Sequence, residues 1–79
     1  MVDANNVTSE LILHLTPREK EVFRLLGNGL VNKQIAVELK ISVKTVESHR
    51  CSIMKKLDLD TPAELVGFAI ESKLVGELF

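Results

Sequence analysis

Two helix-forming stretches, "NKQIAVEL" and "VKTVESHRCSIMKKL", stand cap to cap with only Lys40 and Ile41 between them before Ser42. So short a gap leaves no room for a strand or a wandering loop. The second helix must turn sharply from the first and pack against it at once. In the first stretch Ile35, Ala36 and Leu39 share one helical face, and Asn32 is placed to cap its start. In the second, Ser42 can cap a helix from about Val43 to Leu57. Its apolar positions Val46, Ile53 and Leu57 are spaced seven and four apart, with His49 or Arg50 completing the stripe. A small residue where two helices cross, with apolar residues on both sides of the turn, is what a helix-turn-helix needs. Ala36 fills the first role, and Ile41 and Val46 clamp the turn. Lys40 stands where such motifs often place glycine. Apolar spacing alone leaves two readings open, a DNA-binding motif and a plain structural hairpin.

The flanks supply two more helices. "LTPREKEVFRLLGNG" offers Thr16 as a cap, Pro17 at the first helical position and Glu19 placed to bond back to the cap amide. Val22, Leu25 and Leu26 form its apolar face, and Gly27 with Gly29 ends it. "TPAEL" repeats the start signal with Thr61, Pro62 and Glu64. It opens a last helix to about Glu71, with Leu65, Ala69 and Ile70 as its buried side. The residues that follow the two signals differ, so this is no internal repeat. No segment alternates with period two, and no sheet is expected. The fold class is all-α, a compact four-helix domain over residues 15–79. Residues 1–14 read as a tail or linker whose "ELILHL" can pack down on the domain.

Seventy-nine residues suffice for one small domain. The single cysteine, Cys51, cannot form an internal bridge, and no apolar run approaches the ~20 residues that cross a bilayer, so a cytoplasmic location and no membrane partner are expected. Three Phe, no Trp and no Tyr argue against base-stacking on single strands. Neither a nucleophile with its base nor a phosphate loop is present, and no enzyme activity is expected. Cys51 and His49 point apart at i and i+2 and, with His14, make no metal site; no cofactor is implied.

The net charge is −1, but it is segregated. Between Lys33 and Lys56 six basic residues meet two acidic ones, a balance of +4, whereas the rest of the chain carries four basic and nine acidic, a balance of −5. Screening beyond ~8 Å lets the local field act on a polyanion. With Val46, Ile53 and Leu57 facing in, Lys44, Thr45, Glu47, Ser48, Cys51 and Lys55 face out or flank. These are short polar or cationic groups suited to a helix whose N-terminal end enters a major groove. Glu47 has two readings: a solvated residue paired with Arg50, or an acceptor for cytosine N4.

Taken together, "LTPREKEV", Gly29, "NKQIA", "KTVE", "HR" and "IMKKL" resemble the LuxR/FixJ-type (GerE-like) helix-turn-helix domain of bacterial transcription regulators, over roughly residues 15 to 75. The resemblance implies a sequence-specific double-stranded DNA binder. Glu47, Ser48 and Cys51 then face base edges. Asn32, Lys33, Ser42, Lys44, Thr45, His49, Arg50 and Lys55 lie at backbone or groove contacts. The last helix pairs two domains on DNA, with Ala63, Val66, Gly67 and Ile70 as its contact residues. It further implies a homodimer, RNA polymerase as a partner, and a receiver or sensing domain in the parent chain, as in the output domain of a two-component response regulator. Asp58, Asp60 and Pro62 depart from the family's usual glycine, basic or polar residues, so no phosphate contact is assigned there. The competing reading is a helical protein-interaction module without DNA affinity.

Overall fold

In a computed structural model, which describes residues 12–74 (of Leu74 the backbone alone), four helices follow one another: α1 Pro17–Gly27, α2 Asn32–Leu39, α3 Val43–Lys56 and α4 Pro62–Leu74. No strand occurs among the described residues. Most of the expected tail lies outside them, but Ile12 and Leu15 at its edge are buried in the core.

The N-terminal half of α1 is built as its sequence dictates. The Thr16 hydroxyl accepts from Glu19 N–H at 3.1 Å, and Glu19 Oε1 accepts from Thr16 N–H at 2.8 Å, closing a complete capping box. α1 is the hub of the packing, lying against both α4 and α3. Val22, Phe23, Leu25 and Leu26 are buried, and the Phe23 ring meets that of Phe68 on α4 at 5.9 Å, tilted by 58°. Ile35 and Ala36 from α2, Val46 and Ile53 from α3, Leu57 after it, and Leu65 and Ala69 from α4 complete the core.

Three consecutive helices end in the same way. Each closes with a 6→1 and a 5→2 backbone bond around a left-handed residue, the Schellman arrangement. After α1 the left-handed residue is Gly29 (φ +89), with Leu30 N–H to Leu25 C=O and Gly29 N–H to Leu26 C=O. After α2 it is Lys40 (φ 57), and after α3 it is Asp58 (φ 57). Only the first is glycine.

The structure corrects three readings. Asn32 does not cap α2. Val31 precedes the helix without a side-chain cap, and Gln34 Oε1 accepts from Val31 N–H at 2.9 Å instead. Ile70 is not on the buried side of α4 but 42% exposed; its place is taken by Ser72, whose hydroxyl donates to the Phe68 carbonyl one turn back (2.9 Å). At the start of α4 only half of the box recurs: Thr61 Oγ1 accepts from Glu64 N–H, while the Glu64 carboxylate accepts a hydrogen bond from the Thr61 hydroxyl rather than from the backbone amide.

Glu19 also does something its cap position does not announce. Its buried carboxylate accepts from Lys56 Nζ at 2.7 Å, tying the first turn of α1 to the last turn of α3. Burial pushes its pKa up, but hydrogen bonds from Lys56, Ser52 and the Thr16 amide, with the Lys56 charge, win and bring it from 4.5 down to about 2. A depressed folded pKa stabilises fully above the ordinary value and is lost as pH falls toward the folded one. The bond network therefore contributes on the order of 3 kcal/mol at neutral pH. Urea unfolding followed by circular dichroism is expected to lose that amount between about pH 4.5 and 2. The Glu19→Gln variant is expected to be weaker by a similar amount at pH 7 and to show a flatter acid limb.

Candidate nucleic-acid interface

The turn from α2 into α3 sets the geometry of everything exposed on α3. Ile41 N–H donates to Ala36 C=O at 3.0 Å and Lys40 N–H to Val37 C=O at 3.3 Å, so the chain reverses within two residues. Ala36 is 7% exposed where the two helices cross, and Val46 is fully buried one turn into α3. Ser42 caps α3 as its sequence indicates: its Oγ accepts from Thr45 N–H at 3.0 Å and lies 2.8 Å from the Thr45 hydroxyl.

With Val46 and Ile53 turned in, the opposite side of α3 is open. Lys44, Glu47, Ser48, Cys51 and Lys55 are exposed and line one shallow groove, together with half-buried Ser52. Ser52 was not singled out from sequence; its spacing of four from Ser48 is the signal that places it on this side. A second notch adjoins the first where the helices meet. Asn32, Glu47, Arg50, Cys51 and Met54 line it, with Pro62 from the start of α4.

Within that notch Arg50 Nη1 donates to Asn32 Oδ1, a bond that spans the two helices of the motif. Arg50 does not pair with Glu47; among the described residues the carboxylate of Glu47 has no ion-pair partner. Glu47 is thus an exposed acid without a paired cation among the described residues.

The remaining candidates are distributed more widely. Ser42 and Thr45 are exposed at the start of α3, and His49 is half-buried on its flank. Lys33 is exposed on α2 but lines a separate depression with Leu30, Gln34, Val37 and Glu38. Ala63, Gly67 and Ile70 are exposed and Val66 half-buried, along one side of α4. Of the six basic residues between Lys33 and Lys56, Lys56 is neutralised by Glu19, so the local positive field rests on the other five. Among the described residues no cluster of His, Cys, Asp or Glu could hold a metal, and no helix is long and apolar enough to cross a membrane.

Residues 13–69 match the model of the family described as bacterial regulatory proteins, luxR family. The chain belongs to the luxR family of bacterial regulatory proteins. Over 73 residues it is 45% identical to the oxygen regulatory protein NreC of Staphylococcus carnosus, covering 92% of this chain and 33% of that protein. Against the same protein of Staphylococcus haemolyticus the identity is 49% over 61 residues, 77% of this chain and 28% of the relative. The chain thus spans about a third of the length of the curated relatives it matches. The response regulator StyR, known from a low-resolution structure, superposes with a TM-score of 0.70 at 42% identity, over 84% of this chain and 33% of that one. These likenesses agree with the four-helix, helix-turn-helix reading of the residues.

Lys40 is the strained point of the motif. At φ 57, ψ 46 a residue with a Cβ sits in a region that only glycine enters freely, at a penalty of roughly 1 kcal/mol. Its side chain is exposed, so little packing is lost on removing it. Lys40→Gly is expected to raise stability by about 0.5–1 kcal/mol and the melting temperature by a few degrees, whereas β-branched Lys40→Val lowers both. Thermal unfolding of the three proteins checks this.

Proposed function

We propose that this chain binds double-stranded DNA sequence-specifically as the output domain of a response regulator, with α3 in the major groove. One observation carries the reading. The outward side of α3 presents Lys44, Glu47, Ser48, Cys51 and Lys55 together in one open groove, while its inward side is locked into the core. That division suits a rigid rod that reads bases with one side and is held by the other. In this reading Glu47, Ser48 and Cys51 meet base edges. Lys44, Thr45, Ser42, His49 and Lys55, with Lys33, Asn32 and Arg50 from the motif's flank, meet phosphates and groove walls. The Glu47 carboxylate, without an ion-pair partner among the described residues, suits an acceptor role toward cytosine N4.

A second copy docks through the exposed side of α4 at Ala63, Val66, Gly67 and Ile70, placing two recognition helices about one helical turn apart on DNA. The parent chain carries a receiver domain ahead of this one, as the response-regulator likeness supports, and RNA polymerase is a partner at the promoter.

Duplex selection from a random pool followed by anisotropy titration tests the reading. Binding to the selected sequence is expected to weaken steeply between about 50 and 200 mM salt, as phosphate contacts require. Lys44→Ala is expected to weaken binding to all duplexes alike. Glu47→Ala is expected to change the preferred base at one position, with a penalty of about 1–3 kcal/mol on the original site. No selected sequence bound above random duplex would leave the helical interaction module as the better account.

A further inference from the structure

The Asn32–Arg50 bond has a feature that neither helix needs for itself. Asn32 is the first helical residue of α2, one place past the cap position, which Val31 occupies. Its side-chain oxygen accepts from Arg50, 18 residues on, while Val31 ahead of α2 offers no side-chain cap. At the other end of α2 the turn at Lys40 and Ile41, with Ala36 and Val46 both buried in the core, already joins the two helices. The Asn32–Arg50 bond adds a tie at the far end, against the middle of α3. With the core contacts of Val46 and Ile53, the bond joins the first residue of α2 to the middle of α3.

The bond also fixes the guanidinium. An arginine has five N–H donors in a rigid plane, and a phosphate is met best by two of them side by side. Among the described residues only Asn32 accepts a side-chain hydrogen bond from Arg50, and Glu47, the nearest acid on its own helix, does not pair with it. Arg50 is half-buried and lines the notch beside the reading groove, with one terminal nitrogen held from α2 and further donors to spare.

We infer that Asn32 is a positioning residue rather than a DNA contact: it holds the Arg50 guanidinium so that the free edge of that group meets one backbone phosphate beside the recognition helix. This rests on the DNA-binding reading above and reassigns one residue within it. Asn32 carries no charge, so removing a direct Asn32–phosphate bond would leave the number of displaced counterions unchanged. Removing its hold on Arg50 would subtract one.

The test is a double-substitution cycle of Asn32→Ala and Arg50→Ala on the folded chain, read by anisotropy on the selected duplex at several salt concentrations. Asn32→Ala is expected to weaken binding about threefold to tenfold and to lower the salt slope by about one, as Arg50→Ala does. Adding Asn32→Ala to Arg50→Ala is expected to change affinity less than about twofold, since the residue it positions is already gone. Multiplicative losses, or a loss of affinity at unchanged salt slope, would overturn the assignment and make Asn32 a contact in its own right. Nitrogen-15 spectra of the arginine side chains in the free protein give a reading independent of stability. Arg50 is expected to show resolved, slowly exchanging terminal N–H signals that disappear in Asn32→Ala; averaged signals in the parent protein would also overturn the proposal. If the parent protein binds no duplex at all, the DNA-binding reading fails with it, an outcome distinct from normal binding with an additive cycle.

Discussion

The buried carboxylate of Glu19 holds together parts of the chain that nothing else joins so directly. With one oxygen it caps α1 through the Thr16 amide and grips Lys56 at the end of α3. α1 is the helix against which α3 and α4 both pack, so this link fixes α3 to the hub at its C-terminal end. Its packing against α2, with Ala36 and Val46 both buried in the core, fixes it near its N-terminal end. A lone buried ion pair often fails to repay its desolvation. Here the acid has several donors at once, and its depressed pKa reports that they outweigh the burial.

Much of this architecture was legible in the residues because the relevant signals are local. Thr16, Pro17 and Glu19 act within one turn, Ser42 caps the helix it precedes, and Val46, Ile53 and Leu57 keep one helical side. Other features depend on what lies across the fold. Asn32 looks like a cap by its neighbours, yet its oxygen is claimed by Arg50 from another helix. Glu19 looks like a capping residue and nothing more until Lys56 arrives from 37 positions away. Phe23 lies beside the stripe of Val22, Leu25 and Leu26, and its burial depends on Phe68, far along the chain, whose ring it meets. On α4 an apolar residue and a serine exchange their expected places. Ser72 can be buried because it bonds to its own helix, which leaves Ile70 at the surface.

The candidate interface was legible to a similar depth. The outward residues of α3 follow from the inward ones by helical periodicity, and the structure gathers Lys44, Glu47, Ser48, Cys51 and Lys55 in one groove. Which partner each side chain takes does not follow from periodicity. Spacing allows Glu47 to pair with Arg50, but Arg50 turns to Asn32 and the carboxylate is left open. The charge pattern is likewise sharpened, because one of the six cations that mark the motif is consumed internally at Lys56.

The separation of α3 into a locked side and an open side bears on how such a domain can diverge. The open positions carry almost none of the packing that keeps the helix in place, so exchanging them leaves the scaffold's stability nearly untouched. A chain built this way can acquire a new binding preference by single substitutions without first accumulating stabilising ones. Variation in what it recognises and persistence of its shape are thereby decoupled on opposite faces of fourteen residues.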